Sequence, residues 1–132
     1  MKLEADLIFK IHVNCEKSIP VGNMNVIPIV GGTVEGKIKG VVVPGGADWN
    51  TRVDENTSHV FAKYLIKAEN GINIAIENEG YISDDHSEIK TVPRFKVDSN
   101  CEFSWLNSGV YVGALEAGKE EGQVEIIIYK MS

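Results

Sequence analysis

The chain has 132 residues, 43% of them hydrophobic and 24% charged, with a formal net charge of −6. That length suits one domain around a single core, and that composition excludes disorder as the default. The acidic balance excludes nucleic acid and anionic membrane as expected partners, since both call for a basic face.

No apolar run approaches the roughly 20 residues that a spanning helix needs. The opening Met1-Lys2-Leu3-Glu4-Ala5-Asp6 carries acids where a signal peptide would be apolar, so a cytoplasmic protein is expected. Cys15 and Cys101 are the only cysteines, far apart and without a metal-ligand spacing. Both are expected to be reduced, with Cys15 a small buried hydrophobe at the end of an apolar alternation and neither one catalytic. The sequence gives no reason to expect a metal or a cofactor.

The hydrophobic rhythm has a period of two almost throughout. Leu3, Ala5, Leu7, Phe9, Ile11, Val13 and Cys15 alternate with polar residues, apart from Ile8, which predicts a long half-buried strand. Residues 16–32 hold Pro20, Gly22, Pro28 and Gly31-Gly32, and read as a loop containing at least one strand. From Thr33 the rhythm resumes, with Val34, Gly36, Ile38, Gly40 and Val42 on the inner side. Val41-Val42-Val43 then runs into Pro44-Gly45-Gly46, a sharp turn that delivers Asp48 and Trp49 from a strand end.

A polar loop over 50–57 precedes Val60, Ala62, Tyr64, Ile66 and Ala68, which alternate with His59, Lys63 and Lys67. Asn70-Gly71 separates this run from Ile72, Ile74 and Ile76. Such a pair between alternating runs predicts a hairpin with a type I′ turn. Ser83 to Ser87 is an acidic loop with the cluster Asp84-Asp85-His86; Ile89 to Val97 is another strand, with Pro93 marking an edge or bulge. A connection over 98–108 contains Trp105-Leu106-Asn107, and two last strands lie near 109–116 and 123–131. No segment carries a convincing helical stripe.

About eight antiparallel strands with short connections predict an all-β fold, a closed up-and-down β-barrel, because closure removes the unpaired edges. A two-sheet sandwich is the alternative. Val41, Val43, Phe61, Leu65, Ile127, Tyr129 and Met131 stand at the parity opposite to the inward set. If they lie outside they make apolar patches, so a homo-oligomer is expected; a local bulge that switches parity is the competing explanation.

Asp48 beside Trp49 is the best functional pair, since a carboxyl held against an indole in a barrel mouth loses hydration and can carry a proton. Against it stands a turn cap with a plugging tryptophan. Tyr64 and Asn78 share the inward parity, and each polar end needs a partner or a ligand. Arg94 lies outside by simple alternation, but would face Asp48 or an anion if Pro93 made a bulge. Trp105 and Asn107 either plug the barrel or line its mouth. His12, His59 and His86 share no spacing, and no nucleophile elbow or phosphate-binding glycine loop is present.

Gly31-Gly32, Gly36, Gly40, Pro44-Gly45-Gly46-Ala47-Asp48-Trp49, Tyr64, Asn78 with Gly80, Pro93-Arg94-Phe95, and Trp105-Leu106-Asn107 before Gly113 occur in this order. The whole pattern resembles the bacterial and fungal family called domain of unknown function 3237, or uncharacterised protein family 0311. The resemblance implies a single-domain β-barrel with Asp48, Trp49, Tyr64, Arg94 and Asn107 around a shared cavity, and it implies no particular reaction. The chain departs at Glu79, where members commonly carry arginine, so no anion site resting on that arginine is implied. Two functions follow as expectations: a barrel that binds an unknown small molecule, or an acid–base enzyme (isomerase, cyclase or hydrolase) using Asp48 as proton carrier and Tyr64 or Asn107 to polarise the substrate. A purely structural oligomer with a filled barrel is the third.

Overall fold

The computed structural model describes residues 1–85 and 89–132, and most of them lie in one antiparallel sheet. Its strands are β1 (Ala5–Cys15), β2 (Ile19–Val21), β3 (Met24–Gly36), β4 (Gly40–Arg52), β5 (Thr57–Ala68), β6 (Asn73–Ser83), β7 (Ile89–Lys96), β8 (Val110–Ala117) and β9 (Gln123–Met131). They run in the order β1-β9-β8-β7-β6-β5-β4-β3-β2, and β1 also pairs with β3. That extra pairing closes eight strands into a barrel and leaves β2 as a short flap on β3. The sandwich alternative is thereby excluded. Among the described residues there is no α-helix, and no helix is long and apolar enough to cross a membrane.

The alternation places the core inside the barrel: Phe9, Ile11, Ile66, Ile74, Ile76 and Ile128 are all fully buried. Where the two-residue rhythm breaks, a bulge restores it. A register shift between Leu7 and Phe9 turns Ile8 inward at 3% exposure and Leu7 outward at 48%, the reverse of the expected pair. Gly31-Gly32 is likewise a bulge within β3 and not part of a loop, flanked by a register shift between Ile29 and Thr33. Both Ile29 and Val34 are buried although their parities differ. Gly32 has φ +144°, and a Cβ there would stand 1.9 Å from the His12 carbonyl oxygen, so only glycine lets β1 approach so closely.

Pro44-Gly45-Gly46 also differs from the expected turn. It is a bulge in the middle of β4, between Val43 and Ala47, opposite a single β5 residue, Tyr64. The extra residues keep the inward parity, so Val42 and Asp48 both point into the barrel. The Asn70-Gly71 hairpin forms between β5 and β6, but with a different turn: among the described residues only glycines take positive φ, Gly71 at +88°. The Gly71 N–H donates to the Ala68 carbonyl at 2.8 Å, and the Ala68 N–H to the Ile72 carbonyl at 2.9 Å. This is a three-residue loop closed by glycine rather than a type I′ turn.

The barrel has two unlike ends. At one, Ile38 and Leu106 plug the interior. At the other lie the end of β1 at Cys15, the later halves of β4 and β6, and the starts of β5, β7 and β9.

Candidate functional site

The open end gathers the chemistry. Asp48 pairs across the sheet with Ala62, Ala62 with Asn78, and Asn78 with Pro93, so inward residues of β4, β5, β6 and β7 form one level of the barrel. Tyr64 lies one inward step deeper on β5. Thr91 pairs with Gly113, and that glycine is bare for a reason: a Cβ would stand 2.5 Å from Thr91 Oγ1 and 3.6 Å from Asn78 Nδ2. Asp48, Tyr64, Asn78, Thr91 and Cys15 border an internal cavity of about 40 Å³, walled otherwise by Val13, Ile29, Val60, Ala62, Leu115, Val124 and Ile126.

Three buried polar atoms around this void lack partners. Asp48 Oδ1, Tyr64 Oη and Asn78 Oδ1 are fully buried, and none has a hydrogen-bond partner among the described residues; Asn50 Oδ1 at the rim is in the same position. Asn78 as a residue is 4% exposed. Leaving such a group unpaired costs about 1–3 kcal/mol. Three of the four bordering one void therefore mark it as a place for something polar.

Burial shapes the titration of these groups. It pushes the Asp48 carboxyl above its ordinary 3.8, while the Phe61 backbone N–H and the charge of His59 pull the other way. Burial, with the charges of Asp48 and Cys15 adding to it, pushes the Tyr64 phenol far up. The Cys15 thiol is raised too, by burial and then by Asp48. The three groups feel one another and favour their uncharged forms. A metal is poorly served here: no cluster of three or more His, Cys, Asp or Glu is found among the described residues.

The other expected site residues lie elsewhere. Trp49 follows the inward Asp48 and so points out; it is 44% exposed and lines an outer groove of about 440 Å³ with Val43, Pro44, Ala47, Lys63 and Leu65. Arg94 is exposed on the outer wall. The β6–β7 register runs through Glu77↔Arg94, Asn78↔Pro93 and Glu79↔Val92 without a shift, so Pro93 makes no bulge and cannot turn Arg94 inward. Pro93 is tolerated because β7 pairs with β8 only up to Thr91, where its missing N–H is no longer needed.

Trp105 and Asn107 sit at the opposite, plugged end, in the 3-10 turn Ser104–Asn107. The Val97 N–H donates to Asn107 Oδ1 at 2.9 Å, and Asn107 Nδ2 donates to the Val97 carbonyl at 2.8 Å, closing the gap after β7. The Trp105 carbonyl accepts from the Tyr111 hydroxyl at 2.9 Å, and Lys130 Nζ lies 5.9 Å from the indole centre. Asn107 is thus occupied by backbone and cannot polarise anything beside Asp48.

Of the histidines, His59 Nε2 lies 2.7 Å from Glu79 and His12 Nε2 3.2 Å from Glu35, both on the outside. Glu79, the departure from the family pattern, faces away from the cavity. Asp84 forms a two-pronged ion pair with Arg52, at 3.0 and 2.6 Å, while His86 lies outside the described residues. Sequence reasoning missed Cys15, Thr91 and Asn50 as polar neighbours of Asp48. Parity was the available signal: Cys15 alternates with its strand, Thr91 shares the parity of Pro93 and Val97, and Asn50 that of Asp48.

Residues 3–131 match the family model described as "Protein of unknown function (DUF3237)". The chain belongs to that family. A DUF3237 relative, a UPF0311 protein of Bradyrhizobium diazoefficiens, is 26% identical over 127 residues, covering 84% of this chain and 82% of its own. The crystal structure of a protein of unknown function from Clostridium acetobutylicum superposes with TM-score 0.86 at 26% identity, each chain fully covered. A structure described as an enzyme from Penicillium herquei shares the barrel fold at TM-score 0.78 and 20% identity, covering 98% of this chain and 96% of that one.

Proposed function

We propose that the protein is a small-molecule-binding barrel whose site is the interior void at the Cys15 end. One observation carries this reading: Asp48 Oδ1, Tyr64 Oη and Asn78 Oδ1, all buried and unpartnered among the described residues, border one cavity. Its volume of about 40 Å³ is far below the roughly 300–1,000 Å³ of drug-sized sites. The site therefore grips the polar head of a ligand, whose remainder reaches toward the rim past Cys15, Leu115 and Val124. Native mass spectrometry of freshly purified protein tests this. The reading expects a non-covalent mass excess that is lost on denaturation and absent in Ala62→Phe, which fills the void; identical masses under both conditions would contradict it.

A second reading, an acid–base enzyme, is favoured by the raised Asp48 carboxyl facing the neutral Tyr64 phenol. The description of the Penicillium herquei protein as an enzyme agrees with it at the level of the fold. Here Asp48 carries the proton and Tyr64 polarises the substrate oxygen. Asp48→Asn separates the two readings: a pure binding site keeps its ligand and has no turnover to lose, whereas the enzyme keeps binding and loses turnover.

A further inference from the structure

The walls of the interior site also say what kind of head group it takes, an inference that rests on the binding reading above. An anion is poorly received. No lysine, arginine or histidine borders the void among the described residues, and the one ionisable acid there, Asp48, would repel a negative charge. A cation fares little better, because seven apolar side chains surround it and a single carboxyl would have to offset the whole loss of its hydration. Burial keeps Cys15 and Tyr64, the other titratable groups lining the site, in their neutral forms, and His59 acts on Asp48 only from the outer face.

What remains is a neutral group that both donates and accepts. A hydroxyl has one O–H and two lone pairs. The site offers acceptors in Asn78 Oδ1 and Asp48 Oδ1 and a donor in the Tyr64 hydroxyl, three atoms without partners among the described residues. We propose that the interior site selects a neutral, largely apolar molecule through a single hydroxyl, held between Tyr64, Asn78 and Asp48. The small void takes the hydroxyl, and the hydrocarbon lies against Val124, Ile126 and Leu115. An alcohol, enol or phenol qualifies; a carboxylic acid or an amine does not.

Three slender probes that differ only in their heads test this: hexan-1-ol, hexylamine and hexanoate, each titrated into isotope-labelled full-length protein at neutral pH and followed by amide chemical shifts. Hexan-1-ol should perturb amides around Tyr64 and Asn78, and bind about tenfold more tightly than either charged probe. Tyr64→Phe, a conservative change that keeps the ring, should weaken hexan-1-ol about fivefold, as loss of one hydrogen bond implies. Tighter binding of the amine or the carboxylate, or no effect of Tyr64→Phe, would overturn the hydroxyl assignment while leaving the binding reading intact. If none of the three shifts the interior amides, both inferences fall together.

Discussion

Asp48 is the ionisable acid at the interior void, and its environment predicts a pH signature. Burial raises its carboxyl above 3.8 in the folded chain, so the folded state holds that proton more tightly than the unfolded one. The stabilising share is complete below 3.8 and is lost as pH climbs through the folded value. Denaturant melts of wild type and Asp48→Asn across this range should therefore show the wild type losing stability relative to the variant as pH rises; a constant difference would mean that the carboxyl is not desolvated. Gly113 offers a second residue-scale test. Alanine there puts a methyl carbon 2.5 Å from Thr91 Oγ1, in the space beside Asn78. We expect Gly113→Ala to cost about 1–3 kcal/mol by overpacking, read from the midpoint of chemical unfolding.

At the scale of elements, the plugged end depends on a four-residue turn in place of strand pairing. Leu106 fills the barrel there at 2% exposure, and Asn107 supplies both hydrogen bonds to Val97 that a neighbouring strand would otherwise provide. Asn107→Ala should cost about 1–3 kcal/mol and Leu106→Ala about 2–5 kcal/mol, without altering ligand binding at the far end; unchanged melting temperatures would refute that role. The elements themselves were largely legible, because a half-buried strand writes its burial into every second residue. The barrel closure, the β5–β6 hairpin and the last two strands follow from that rhythm. What it could not reveal are the bulges, since a one-residue shift leaves no mark in composition: Ile8 and Gly31-Gly32 looked like interruptions and are in fact the devices that keep the inside apolar. The inward placement of Asp48, Tyr64 and Asn78 was legible by parity. Arg94, Trp49, Trp105 and Asn107 were grouped with them by motif, whereas strand direction sends the last two to the opposite end and alternation sends the first two outside.

For the whole molecule, the outer wall poses a separate question. Val41 and Leu65 are well exposed, and with Trp49 they surround the bulge of β4 beside the groove on that face. Contiguous apolar surface of this kind is rare on monomers, and the account expects more than one copy per particle in native mass spectra at micromolar concentration; a strictly monomeric species would leave that face unexplained. The inner face carries the central claim, that the void at the Cys15 end exists to be filled. A high-resolution crystal structure of the protein as purified tests it most directly. The account predicts non-protein density larger than water within hydrogen-bonding distance of Tyr64 Oη and Asn78 Oδ1; a void holding only water, or closed by the side chains of Asp48 and Tyr64 bonding each other, would contradict it.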